Sequence, residues 1–215
     1  MPAMPEPNLG FHHRFVPSPS GGNGPTVLLL HGTGGDENDL LEVGRIVAPT
    51  AALLSPRGNS LDEGSARFFR RLREGIFDEA DLIHRTNELA DFVAAAARKY
   101  ALDPARIYAL GFSNGANIAA SMMLLRPERL AGAGLLRPMV PLEPATLPDL
   151  NGKPVLIVSG RTDPIVPAEQ AQRLADLLKS GGANVDLRWL GAGHGLGHED
   201  LSIAHDFFAG HLGAA

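Results

Sequence analysis

The stretch Arg106-Ile-Tyr-Ala-Leu110, running into Gly111-Phe-Ser-Asn-Gly115 and then into the apolar run 116–125, decides the fold. The first five residues predict a short strand, and residues 114–125, closed by Arg126-Pro127, predict a helix. Between them a serine sits two residues from a glycine on either side. A turn that tight brings strand and helix together at a distance where side chains would collide, which is why glycine is needed there. Such a turn lifts the serine Oγ above the edge of the sheet. The plainer alternative is that Ser113 is a helix N-cap, but a strand before the turn and a helix after it favour the catalytic reading.

Working outward, the same alternation recurs. Residues 26–30, 51–54, 130–136, 154–158 and 185–190 predict strands, and 80–100, 168–178 and 201–212 predict helices. A further helix is expected to begin near Glu37, capped by Asp36. The apolar run Thr26-Val-Leu-Leu-Leu30 is continuous rather than alternating, the mark of a strand buried on both faces. Strand followed by helix, repeated this often, predicts an α/β fold with a mostly parallel central sheet and helices on both faces. Residues 11–16 read as an edge strand, and Ser18 to Pro25 as the loop of a hairpin joining it to 26–30. The expected organisation is one domain over 25–215, with 1–24 an N-terminal segment of it. The gap 137–153 contains four prolines and is too short to fold as a cap domain.

Composition excludes several functions. The 215 residues carry 19 Lys+Arg and 24 Asp+Glu, a net charge of −5, with no basic block. A nucleic-acid binder is not expected from that balance. Cysteine is absent, so disulfides, thiolate zinc sites and a cysteine nucleophile are excluded. No apolar run reaches the roughly 18–20 residues of a membrane span, and the N-terminus lacks the pattern of a signal peptide, so a cytoplasmic location is expected. No metal site is predicted: His194 and His198 are four apart, but Gly195 and Gly197 make that stretch a loop. No cofactor is expected either.

Two further positions give Ser113 its chemistry. Strand 154–158 leads to Asp163, and strand 185–190 leads to His194, so all three residues follow the carboxyl ends of strands, where open α/β sheets place ligands. Separately, Asp163 reads as a turn residue and His194 as a loop histidine. Together, in the order Ser, Asp, His, they match the arrangement of α/β-hydrolase folds. Imidazole supplies the base that a serine hydroxyl needs, and a carboxylate fixes the imidazole tautomer. His31-Gly-Thr-Gly-Gly35 after the strand 26–30 is the expected oxyanion loop, with the backbone N–H groups of Thr33 and Asn114 as donors and His31 holding the loop. Arg57, Phe69, Arg137, Met139 and Val140 are candidate substrate contacts, with Leu142 beside them on the rim.

His31-Gly-Thr-Gly-Gly-Asp-Glu-Asn-Asp-Leu40, Gly111-Phe-Ser-Asn-Gly-Ala-Asn-Ile118, Gly160-Arg-Thr-Asp-Pro-Ile-Val-Pro167 and Gly193-His194 resemble the phospholipase/carboxylesterase family of α/β hydrolases. That family includes acyl-protein thioesterases and small bacterial carboxylesterases. Ser55-Pro-Arg-Gly58, Arg70-Arg-Leu72 and Arg137-Pro-Met-Val-Pro141 resemble the bacterial branch. Asn114 and Ala116 stand where the thioesterases usually carry Gln and Gly. The resemblance implies hydrolysis of a small-molecule carboxylic ester through a serine acyl-enzyme. The short gap 137–153, which leaves the site open, makes short-chain or aryl esters the expected substrates. The alternatives are an acyl thioesterase or lysophospholipase, and, in another class, a non-catalytic receptor on the same fold. A homodimer is an open option for assembly.

Overall fold

Seven strands form the central sheet of the computed structural model, which describes residues 9–21, 24–62 and 64–213. In chain order the elements are β1 (His13–Val16), β2 (Thr26–Leu30), α1 (Leu41–Val47), β3 (Ala52–Pro56), β4 (Ser60–Asp62), β5 (Ser65–Arg67), β6 (Arg71–Arg73), β7 (Ile76–Phe77), α2 (Glu79–Lys99), β8 (Ile107–Phe112), α3 (Asn114–Leu125), β9 (Gly132–Leu136), β10 (Pro154–Gly160), α4 (Ala168–Ser180), β11 (Asn184–Leu190) and α5 (His198–Leu212). The sheet order is β1-β3-β2-β8-β9-β10-β11, parallel except for β1, which runs antiparallel to β3. The chain winds outward from β2 to β3 and then returns to β8 on the other side of β2. That reversal opens a crevice at the carboxyl ends of β2 and β8, the usual ligand position in such sheets.

The continuous apolar strands bury both faces. Leu28 and Leu30 of β2 face one core with α2, α3 and α4, while Val27 and Leu29 face the other with α1 and α5. β2, β3 and β9 are buried at every position, whereas β11, at the sheet's edge, alternates exposed with half-buried residues along most of its length. Between α2 and α3 the apolar contact is pinned by a buried hydrogen bond between Thr86 Oγ1 and Ser121 Oγ, 2.8 Å long.

Two expectations need correction. The segment 11–16 does hold an edge strand, over His13–Val16, but it pairs with β3 and not with β2, so the two strands do not form the expected hairpin. Residues 22 and 23 of the expected hairpin loop lie outside the described residues. Ser18 anchors that loop by donating to the Thr50 carbonyl at 2.8 Å, and Phe15 stacks on Tyr100. Helix α1 begins at Leu41, not near Glu37. Asp36 instead accepts from the Asn38 N–H, a local turn that competes with helix initiation. Two small hairpins, β4–β5 and β6–β7, occupy 60–77, where the sequence showed no element. Residues 137–153 hold no helix or strand, and no cap domain is present among the described residues. No described helix is long and apolar enough to cross a membrane.

Leu28 is fully buried in the centre of the sheet, whereas Leu61 on β4 is 70% exposed. Replacing Leu28 by Ala is expected to lower the unfolding free energy by about 2–5 kcal/mol, the range for cavity-forming core truncations. The same change at Leu61 should stay within roughly 0.5 kcal/mol. Urea denaturation monitored by circular dichroism compares the two.

Candidate active site

Ser113 ends the turn between β8 and α3 with φ +52° and ψ −113°, a backbone conformation that side-chain-bearing residues rarely adopt. The two flanking glycines make it feasible. A Cβ on Gly115 would fall inside the Leu30 carbonyl oxygen, and one on Gly111 would fall on the Gly115 carbonyl. The Ser113 side chain caps nothing in α3. Its Oγ instead lies 2.9 Å from His194 Nε2, and His194 Nδ1 lies 2.8 Å from Asp163 Oδ2.

Asp163 is tied down on its other side. Burial opposes ionisation of its carboxyl, but N–H donors from Val166 and Ile165, at 3.0 and 2.8 Å, together with the imidazole, outweigh burial and hold its pKa below the ordinary value. An ionised Asp163 accepts from His194 Nδ1–H. That leaves Nε2 as the acceptor for the Ser113 hydroxyl, the tautomer a general base requires. The Phe112 ring lies against the imidazole, with centroids 5.4 Å apart.

The glycine-rich loop after β2 is held from three directions. Buried His31 donates from Nδ1 to the Gly32 carbonyl at 2.6 Å and accepts at Nε2 from the Gly58 N–H at 3.0 Å. Burial lowers its pKa against the pull of nearby carboxylates, which keeps the ring neutral as that pattern demands. The Gly34 N–H donates to Ala66 of β5, and Arg67 Nη1 donates to Thr33 Oγ1 at 2.6 Å. The backbone N–H groups of Thr33 and Asn114 donate to no described residue, so both remain available beside Ser113. The Asn114 side chain accepts from the Phe68 N–H at 2.8 Å, tying the loop after β5 to the start of α3.

Ser113 and His194 open into a cleft of about 270 Å³, lined also by Thr33, Asn114, Arg67, Arg71, Phe77 and Met139. A larger hollow of about 710 Å³, between the edge strand β11 and α5, includes none of the three aligned residues.

Of the expected substrate contacts, Met139 and Arg137 line the cleft, and Arg57, Phe69 and Val140 do not. Arg57 lies outside it, its guanidinium forked onto Glu37 with Nη2 to Oε1 at 2.9 Å. Phe69 is fully buried and packs edge-on against Phe77, and it is Phe77 that reaches the cleft. Val140 and Leu142 line a neighbouring surface depression with Gln170 and Arg173, which meets the cleft at Gly75 and Met139. Arg137 borders the cleft, yet its side chain is fully buried and every nitrogen is engaged. Nη1 and Nη2 form a fork with Asp200 at 2.6 and 3.0 Å, Nε donates to Gly193 O at 2.9 Å, and Nη2 reaches Gly195 O at 3.3 Å. Arg137 therefore grips the loop on both sides of His194 and has no donor to spare for a ligand.

Asn117, one turn into α3, accepts from the Met139 N–H at 2.7 Å and fixes the opposite wall. Sequence reasoning assigns no site role to Asn117, Asp200 or Arg67, and it notes Arg70 and Arg71 only as part of a family motif. Asn117 follows Ser113 by four residues, so helical periodicity does place it one turn above the serine. His198, the other histidine near the site, is exposed at the start of α5. No group of three or more metal-binding side chains converges among the described residues.

Residues 11–212 match the family model described as Phospholipase/Carboxylesterase. A solved carboxylesterase from Bacillus cereus superposes with a TM-score of 0.91 at 45% identity, over 94% of this chain and 95% of that one. A carboxylesterase from Mesorhizobium loti superposes with a TM-score of 0.82 at 36% identity, over 86% and 88% of the two chains. MhqD of Bacillus subtilis (strain 168), named as a hydrolase, is 45% identical over 182 residues, 85% of this chain and 91% of its own length.

The low pKa of Asp163 predicts a pH signature. A carboxyl with a folded pKa below its unfolded value, about 3.9, contributes stability above that value and loses it as pH falls through the folded pKa. Between pH 6 and pH 3 the wild type is therefore expected to lose unfolding free energy more steeply than Asp163→Asn. Parallel curves in urea titrations across that range would contradict this origin of the shift.

Proposed function

The chain belongs to the phospholipase/carboxylesterase family of hydrolases, and from that premise we propose that it is a serine ester hydrolase working through an acyl-enzyme on short-chain or aryl esters. The observation that carries the reading is the continuous path Ser113 Oγ–His194 Nε2–His194 Nδ1–Asp163 Oδ2, with links of 2.9 and 2.8 Å at the mouth of a cleft.

In this reading Ser113 Oγ attacks the ester carbonyl carbon while its proton passes to His194 Nε2. The carbonyl oxygen, now negative, is stabilised by the N–H groups of Thr33 and Asn114. Asp163 holds the imidazolium and keeps the ring in the productive tautomer. Collapse expels the alcohol, which takes the proton from His194 and leaves an acyl group on Ser113. Water then repeats the sequence: His194 accepts its proton, the carboxylic acid departs, and the serine hydroxyl is restored. Arg137 acts through the His194 loop as a positioning residue.

Ser113→Ala is expected to abolish ester hydrolysis and labelling by a fluorophosphonate while circular dichroism stays native, since its hydroxyl caps nothing. His194→Gln should reduce kcat by several orders of magnitude, to what oxyanion stabilisation and binding alone supply, and His198→Gln should reduce it little. Labelling that survives in Ser113→Ala, or the reverse pattern of the two histidines, would contradict the assignment.

Chain-length preference follows from the cleft. Its volume of about 270 Å³, with no cap among the described residues, limits the apolar surface to Phe77, Phe112, Met139, Ile165 and Val166. A fully buried methylene contributes roughly 0.8 kcal/mol, about a fourfold gain in kcat/KM for each one that finds a wall. Across a series of p-nitrophenyl esters kcat/KM is therefore expected to peak at short acyl chains and then level or fall. A continued rise out to long chains would reveal a lipid tunnel and overturn the short-chain preference.

A further inference from the structure

Resting on the ester-hydrolase reading, we propose that Arg67 receives a carboxylate carried by the substrate, so that the cleft takes esters with an anionic group close to the scissile bond. Arg67 ends β5 in the wall of the cleft that holds Ser113, and its side chain is only 4% exposed. Its hydrogen-bond partners are neutral: Nε donates to the Phe69 carbonyl at 3.1 Å and Nη1 to Thr33 Oγ1 at 2.6 Å. Nη2 donates to no described residue.

Full charge balance is missing as well. The nearest carboxylate, Asp62, stands 3.9 Å from Arg67 Nε, and the same Oδ2 is held at 2.8 Å by Arg71 Nε. Two guanidiniums in one cleft wall thus share a single carboxylate. Burial, reinforced by the neighbouring Arg71 charge, presses the Arg67 pKa downward. A cation withdrawn from water without its own counter-ion is costly, and the face of Phe69, 5.7 Å from the guanidinium carbon, compensates only in part. The group that would complete this environment is a planar anion able to take the free Nη2 together with the half-exposed Arg71. Glu74 also lines the cleft with negative charge, but it is exposed and screened by water. Arg57, whose fork is filled by Glu37, and Arg137, whose fork is filled by Asp200, show what a satisfied arginine looks like in the same molecule.

Matched esters test the proposal by pH-stat titration of the released acid. With the carboxylate on the acyl side, monoethyl succinate is compared with its neutral isostere ethyl 4-methylpentanoate. With it on the alcohol side, acetoxyacetate is compared with isobutyl acetate. In at least one pair the wild type is expected to favour the anion by about ten- to hundredfold in kcat/KM, the range for a charge-assisted hydrogen bond. Arg67→Gln should bring that ratio to near one or below. If Arg67 only supported Thr33, the variant would slow both members of a pair equally and leave the ratio unchanged, which would overturn the proposal. The wild type alone supplies a second check: succinate is expected to inhibit competitively at least tenfold more tightly than succinamide, and equal or weaker inhibition would also overturn it. Turnover of the neutral esters at equal or higher kcat/KM in both pairs would remove the anion preference and leave the ester hydrolase standing. Absence of turnover on every ester would remove both readings.

Discussion

Everything at the candidate site depends on how closely the first turn of α3 approaches the end of β2. Gly115 sits so near the Leu30 and His31 carbonyls that no side chain fits between them. That contact brings the serine turn after β8 and the glycine-rich loop after β2 side by side. Two adjacent parallel strands supply the two loops, so the Ser113 hydroxyl and the backbone N–H groups of Thr33 and Asn114 meet at one sheet edge. The strained backbone at Ser113 is the local consequence, and the fully buried β2 beside the largely buried β8 holds the strain in place.

Around that contact the loops are tied by side chains that have no direct part in the proposed chemistry. Asn114 and Asn117 of α3 hold the chain at Phe68 and Met139, and buried His31 joins two loops. Arg137, also at positive φ, grips both flanks of His194 through carbonyls while Asp200 balances its charge. A histidine carried on a glycine-rich loop would otherwise sample many positions, and each of these bonds removes some of that freedom. The site is therefore precise although most of it is built from loops.

The sequence revealed the framework because its signals are local. The run 26–30, the turn at Gly111–Gly115 and the strands ahead of Asp163 and His194 each announce themselves within a few residues. The positions that sequence reasoning misjudged depend on partners distant in the chain. Arg137 looked like a substrate arginine because nothing near it shows that Asp200 fills its fork. Phe69 and Phe77 are equally apolar in sequence, and only the packing of the hairpins decides which one meets the cleft. Likewise, β1 lies close to β2 in the chain, yet the sheet pairs it with β3, a choice made by the whole sheet and not by the intervening loop. The hairpins of 60–77 have strands of two or three residues, too short to give a period.

The central claim is that the aligned Ser113, His194 and Asp163 pass an acyl group through the serine. Rapid-quench mass spectrometry of the intact protein during turnover of an activated aryl ester tests it most directly. The account predicts a transient mass increase equal to the acyl group, located on the peptide that contains Ser113 and formed at the rate of the initial burst of released phenol. Turnover with no covalent adduct, or an adduct on any other residue, would contradict it.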